Sequence, residues 1–377
     1  MSFRKKGFLD SFGKWNFAFL FRVSQFFSWK WGRKFMYEAL REKSIYEEGY
    51  RNPILKTSLL GKEFPSPLGI AAGFDIKFKY NDELIQYGFG FEEFGTFTFY
   101  EKYTARKIRF LSSQKAVLVD EPFFKNGGIK FAQKELINRR HLPHIAGVSI
   151  ASNQNPDEEN KAEINIIYEK IEKELIDCVQ CVAPYCDYIV LNLSHPQLPI
   201  SSLVVNLGIL RQIIVRLKDV IDKVAPILKT KLLLKIPLDV SAEQVSLISE
   251  MMIETGIDGI IIGGYSMGNK ENHKGLRHYG YSYLCGKPIK NETLRIVGNF
   301  YKVLQGRIPI ISSGGVFTGD DAFEMIQAGA NLVQIHTAIL YKGPSIGRKI
   351  CKRLADLLHK NNFGSVSEAV GSKFSQQ

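Results

Sequence analysis

Lys235 lies inside the apolar run LLLKIP, where an ammonium is costly to bury unless an anionic partner or ligand stabilises it. Two readings stand: a lysine kept for a bound anion, or one snorkelling from the end of a strand. Asn192 closes the apolar run YIVLN, where an amide can hold a ring carbonyl or simply form a turn. Gly314-Gly315 directly follows the β-branched run 308–312, and glycines just past a strand let a ligand reach main-chain N–H groups with no Cβ in the way. Thr318-Gly-Asp-Asp321 then opens a helix, where a hydroxyl or carboxylate side chain can cap free backbone N–H groups and any N–H left exposed would attract an anion. Gly329 ends that helix, and 331–335 reads as a second buried strand. The unit is either a phosphate cup or an ordinary βαβ turn with glycines at its corners.

The elements that must position these groups are short buried strands alternating with helices. Strands are expected at 68–72, 91–96, 145–151, 187–193, 231–236, 259–263, 308–312 and 331–335, with helices such as 165–183, 203–224 and 242–256 between them. Eight strands in βα alternation favour an α/β fold closed as a (β/α)8 TIM barrel, whose catalytic groups lie just past strand C-termini and whose last two loops commonly hold phosphate. Residues 97–144 are too many for one loop, which predicts an inserted element over the barrel mouth, and a second insertion is expected at 267–287. Residues 53–362 are assigned to the barrel, 1–52 to a helical segment before it and 363–377 to a mobile tail.

All three tryptophans and nine phenylalanines fall within residues 1–37, with eight Lys/Arg and the single acid Asp10. The aromatic positions recur at helical spacing, and no apolar run approaches the roughly 20 residues of a spanning helix. Such a segment is suited to lie on an anionic membrane, or to pack as a helix pair on the main domain. The net charge of +12 is spread along the chain without a nucleic-acid-binding signature, so no nucleic-acid partner is expected. Five cysteines, an odd number, argue for a reducing compartment. Cys178 and Cys181, without a second pair or a histidine at ligand spacing, read as buried helix residues, and no metal site is expected.

Taken together, PLGIAAGFD (67–75), GFGFEEFGT (88–96), YIVLNLSHP (188–196), LLLKIPLD (232–239), DGIII (258–262), IPIISSGGV (308–316) and GANLVQIHTAILYKGP (329–344) resemble the dihydroorotate dehydrogenases, in particular the membrane-associated, quinone-using class. The resemblance runs in order through residues 50–350. It implies a barrel that binds FMN and oxidises dihydroorotate to orotate in pyrimidine biosynthesis. It also implies an N-terminal helix pair on a bacterial or mitochondrial inner membrane, forming the quinone entrance. Ala72, Gly73, Asp75, Thr96, Asn192, Lys235, Gly286, Gly315, His336 and Thr337 fall where the family contacts its flavin. Asn192 and Gln197 fall at substrate positions, and Arg106 and Arg109 resemble the pair near the quinone channel.

The substrate side departs from the family pattern. Ile76 replaces a lysine, Ser149 a flavin-contacting asparagine, and Gly264-Tyr265 an Asn-Thr pair, while Cys285 stands in the altered Gly-x-Ser-Gly loop. Asp120-Glu-Pro-Phe-Phe-Lys-Asn126 replaces an asparagine-rich loop, and an acid repels a bound carboxylate. His195 aligns with the family's catalytic serine. In the family reaction a base removes the C5 proton of dihydroorotate while hydride leaves C6 for the flavin, and imidazole is a competent base near neutral pH. The expectation is therefore an oxidoreductase with His195 as base. The alternatives are a silent FMN- or phosphate-binding barrel at a membrane, and an aldolase-like barrel using Lys235 as a Schiff-base nucleophile.

Overall fold

The computed structural model describes residues 50–103, 108–119, 125–139, 145–154, 164–194, 206–266 and 283–374. A hairpin comes first, β1 (Thr57–Leu59) against β2 (Lys62–Phe64), followed by β3 (Leu68–Ile70), helix α1 (Asn81–Gln86) and β4 (Phe91–Phe97). The first insertion supplies β5 (Ile108–Leu111), β6 (Ala116–Val119) and α2 (Gly128–Asn138). Alternation then resumes with β7 (Ile145–Ile150), α3 (Ile164–Val182), β8 (Tyr188–Asn192), α4 (Leu207–Val224), β9 (Lys231–Ile236), α5 (Ala242–Thr255) and β10 (Gly259–Gly263). After β11 (Tyr283–Gly286) come α6 (Lys290–Leu304), β12 (Ile310–Ser313), α7 (Gly319–Gln327), β13 (Leu332–Ile335), α8 (Thr337–Lys342), α9 (Ile346–Lys360) and α10 (Val366–Ala369).

Strands β3, β4, β7, β8, β9, β10, β12 and β13 pair in parallel, in that order, and β13 closes back on β3. This is the expected (β/α)8 barrel. Its strands are legible as unbroken apolar runs because both faces are buried, one by the helices and one by the barrel interior. The N-terminal half of that interior is a buried layer of Phe91, Ile145, Tyr188, Val190, Leu233, Ile261, Ile311 and Leu332. Phe64 of the β1–β2 hairpin closes it from below, meeting Phe91 edge to face at 5.4 Å. A Cβ on Gly69 would lie 2.4 Å from the Phe91 ring and one on Gly147 2.1 Å from the Tyr188 ring, so these large rings fit because strand neighbours have no side chain.

The two expected insertions join each other. Antiparallel β5, β6 and β11 form a small sheet, with Val117 opposite Cys285 and Ala116 opposite Gly286. The Tyr341 hydroxyl of α8 donates to the Ala116 carbonyl at 2.7 Å, which ties this sheet to the end of the barrel. The tail is a correction to the sequence reading. Ser365 caps α10 by accepting from the Glu368 N–H, Val366 and Ala369 are fully buried, and Phe374 stacks on Tyr301 with ring centres 5.9 Å apart. A serine-rich stretch is packed here because its few apolar residues find a groove between α6 and α7. Cys178 and Cys181 are buried on α3, as their helical spacing implied.

Candidate active site

Seven of the eight barrel strands send residues from their C-terminal ends into one cavity, and β6 and β11 of the small sheet cover it. It encloses about 940 Å³, counting the open solvent at its mouth, which is within the size range of small-molecule sites. The barrel end contributes Ala72, Gly73, Thr96, Asn192 and Lys235, and the last two loops contribute Gly315, His336 and Thr337. Gly286 arrives from β11. Nine residues chosen from the sequence thus line a single cavity.

Lys235 points inward because strand residues alternate faces and its neighbours Leu234 and Ile236 face the helices. Its Nζ donates to Glu93 Oε1 at 3.1 Å, with 6% and 0% of the two side chains exposed. Gln334 Nε2 donates to the other oxygen of Glu93 at 2.6 Å. Asn192, in register with Lys235, donates to Thr96 Oγ1 at 2.8 Å, and Thr96 Oγ1 lies 2.9 Å from Ser149 Oγ. Ser194 Oγ donates to Asn192 Oδ1 at 2.6 Å, which fixes which end of the amide faces which neighbour. Lysine is the one charged side chain among the described lining residues.

Part of the lining is aromatic. Tyr265 meets Tyr283 edge-on at 5.1 Å, and burial pushes the Tyr265 phenol well above its ordinary range, with Tyr283 adding to the shift. Tyr265 therefore stays a neutral O–H group near physiological pH.

Two expectations change. Asp75 does not line the cavity; its buried carboxylate accepts from the N–H groups of Lys77, Lys79 and Tyr80 and so holds the loop that presents Ala72 and Gly73. Burial raises the Asp75 carboxyl despite those three bonds. Nor is the start of α7 an open anion site. Thr318 Oγ1 accepts from Asp321 N, Asp321 accepts from Phe317 N, and the cavity stops at Phe317. The helix supplies its own caps and carries Asp320 and Asp321, which repel an anion there. At Gly286, with φ +97°, an added Cβ would lie 2.4 Å from the Lys115 carbonyl and 3.0 Å from Thr337, so only glycine allows β11 to close on this loop.

The family model for dihydroorotate dehydrogenase matches residues 54–358. This chain belongs to the dihydroorotate dehydrogenase family. It is 30% identical to the Rhodospirillum rubrum dihydroorotate dehydrogenase (quinone) over 322 residues, covering 85% of this chain and 84% of that one. It is equally similar, 30% over 322 residues, to the mouse mitochondrial dihydroorotate dehydrogenase (quinone), covering 84% and 80%. The crystal structure of Eimeria tenella dihydroorotate dehydrogenase in complex with ferulenol superimposes with a TM-score of 0.78 at 26% identity, covering 90% of this chain and 93% of that one.

Within the dihydroorotate dehydrogenase barrel, the altered positions have definite surroundings. Ser149 sits behind Thr96, and Tyr265 and Cys285 line the cavity, whereas the half-buried Ile76 does not. Arg109 stands exposed on β5, outside the cavity. His195, Gln197, Arg106, Asp120 and the whole of residues 1–49 lie outside the described residues. Among the described residues no helix is long and apolar enough to cross a membrane, and no cluster of His, Cys, Asp and Glu could hold a metal ion. Sequence reasoning passed over Glu93, Ser194 and Gln334. The available signal was an acid and an amide inside apolar strand runs, the same signal that picked out Lys235.

Proposed function

We propose that the protein oxidises dihydroorotate to orotate, with FMN as cofactor and a quinone as electron acceptor, while residues 1–37 rest on a membrane surface. The observation that carries the reading is the common wall of Thr96, Asn192, Lys235, Gly286, Gly315, His336 and Thr337 in one open cavity of a family member. The residues present suit a flavin mononucleotide. Gln334 Oε1 is a buried acceptor with no partner among the described residues, Lys235 supplies a cation, and the glycine loops leave main-chain N–H groups clear of side chains. FMN supplies, when bound, the ring that accepts the hydride.

In this reading Lys235 and Asn192 orient the ring, and the Gly314-Gly315 and His336-Thr337 loops hold the phosphate. Tyr265 takes the place of the family's amide on the substrate side, where its neutral hydroxyl can donate to an anionic substrate. His195, next to cavity-lining Ser194, takes the C5 proton. The purified protein should reduce an artificial dye with dihydroorotate, and His195→Ala should lower the rate by about 10²–10⁴. A variant as fast as the parent would remove the histidine from the reaction, and a parent inactive with flavin bound would favour a silent barrel.

A further inference from the structure

We propose that Glu93 sets the reduction potential of the bound flavin by fixing and partly neutralising Lys235 from below; the inference rests on the flavin reading above. Glu93 crosses the barrel lumen from β4. It does not line the cavity, yet its two oxygens hold two side chains that do, Lys235 of β9 at 3.1 Å and Gln334 of β13 at 2.6 Å. The residues one layer lower show what ordinary filling looks like here: Phe91, Val190, Leu233 and Ile261 pack with no polar contact across the lumen. A carboxylate and an ammonium in such a place gain little stability over apolar residues of the same size, because the cost of desolvating both charges offsets their attraction. The pair therefore has a use that packing does not supply.

That use follows from the donor count. An ammonium has three N–H bonds. Glu93 is the one partner of Lys235 among the described residues, so the remaining donors face the cavity. The ligand meets the positive end of a short dipole rather than a full unit charge, with Glu93 about 3 Å behind it. Two-electron reduction places negative charge on a flavin ring, and a nearby cation favours the reduced form. The carboxylate beneath subtracts from that preference. Gln334 holds the second oxygen, so the carboxylate cannot swing up to meet the ligand itself. Glu93 is thus a positioning residue: it acts through Lys235 and touches nothing in the cavity.

The test is the midpoint potential of the FMN-loaded full chain, equilibrated against reference dyes. Glu93→Gln keeps the shape and the oxygen that accepts from Lys235 but removes the charge, and its amide N–H finds an acceptor in Gln334 Oε1 once the Gln334 amide turns over. It should raise the midpoint, favouring the reduced form about tenfold or more, equivalent to about 30 mV for a two-electron couple. A midpoint unchanged or lowered in a variant that carries its full complement of FMN overturns the proposal. Should that variant fail to fold, Glu93→Asp retains the charge but withdraws it from Lys235, so a smaller rise is expected, and an unchanged midpoint overturns the proposal equally. Parent protein that takes up no FMN on reconstitution sinks the flavin reading itself, whereas a loaded parent with an indifferent Glu93 variant sinks only the role of Glu93.

Discussion

The two halves of the barrel interior are built from the same eight strands but solve different problems. The lower half, from Phe64 up to Val190 and Leu233, is filled by packed, largely apolar side chains. The upper half replaces them with Glu93, Lys235, Asn192, Thr96 and Gln334 below a glycine-rimmed hollow. A strand that turns from apolar to polar along its inward face marks the height at which a barrel stops being core and becomes a site.

The contrast predicts that substitutions at the two levels separate stability from ligand binding. Lys235→Met should have the largest effect. It leaves Glu93 buried without a counter-charge, costing about 3–5 kcal/mol in denaturant unfolding, and abolishes flavin retention on gel filtration. Phe64→Ala should cost about 3 kcal/mol through the cavity it opens, yet leave the FMN affinity of the folded protein within about threefold of the parent. A strong loss of FMN in that variant would break the distinction between the two halves.

A smaller effect is expected beside the site. Lys290 bridges Asp321 and Glu324 at 2.6 and 3.0 Å, and a Cβ on Gly315 would lie 2.4 Å from the Lys290 backbone, so this cluster braces the glycine loop from behind. Asp321→Asn should cost about 1 kcal/mol. Burial opposes ionisation of Asp321, but Lys290, the Phe317 N–H and Thr318 more than offset it and hold the carboxyl below its ordinary value of 3.8. The folded form therefore binds this proton less readily than the unfolded chain. Its stabilisation is complete at neutral pH and is lost as pH falls below 3.8, so the difference in unfolding free energy between parent and variant should shrink on acidification. A difference constant down to acid pH would remove the ion pair as its cause. The smallest effect is a rate. Cys285 lines the cavity while the other four cysteines are buried, so a thiol reagent should label Cys285 first, and bound FMN should slow that labelling.

The eight strands were legible because strands of a closed parallel barrel are buried on both faces, and β9 and β10 match their expected bounds at both ends. Lys235 and Asn192 stood out as polar residues in apolar runs. Glu93 carried the same mark in GFGFEEFGT, but its meaning depends on Gln334, 241 residues away. Nothing local shows that partnership. The start of α7 was legible as a cap: the hydroxyl and carboxylate of Thr318-Gly-Asp-Asp321 satisfy the helix N–H groups, which leaves the anion reading of that start without support. The sheet that joins β5, β6 and β11 was foreseen only as two excesses of length, since antiparallel pairing between residues as far apart as Val119 and Tyr283 leaves no periodic signal.

The most direct test of the account is the absorption spectrum of the purified full chain before and after anaerobic addition of dihydroorotate. A yellow protein whose flavin band bleaches on addition is the predicted result. A colourless protein that takes up no FMN on reconstitution would contradict the claim that the upper half of this barrel is a flavin site.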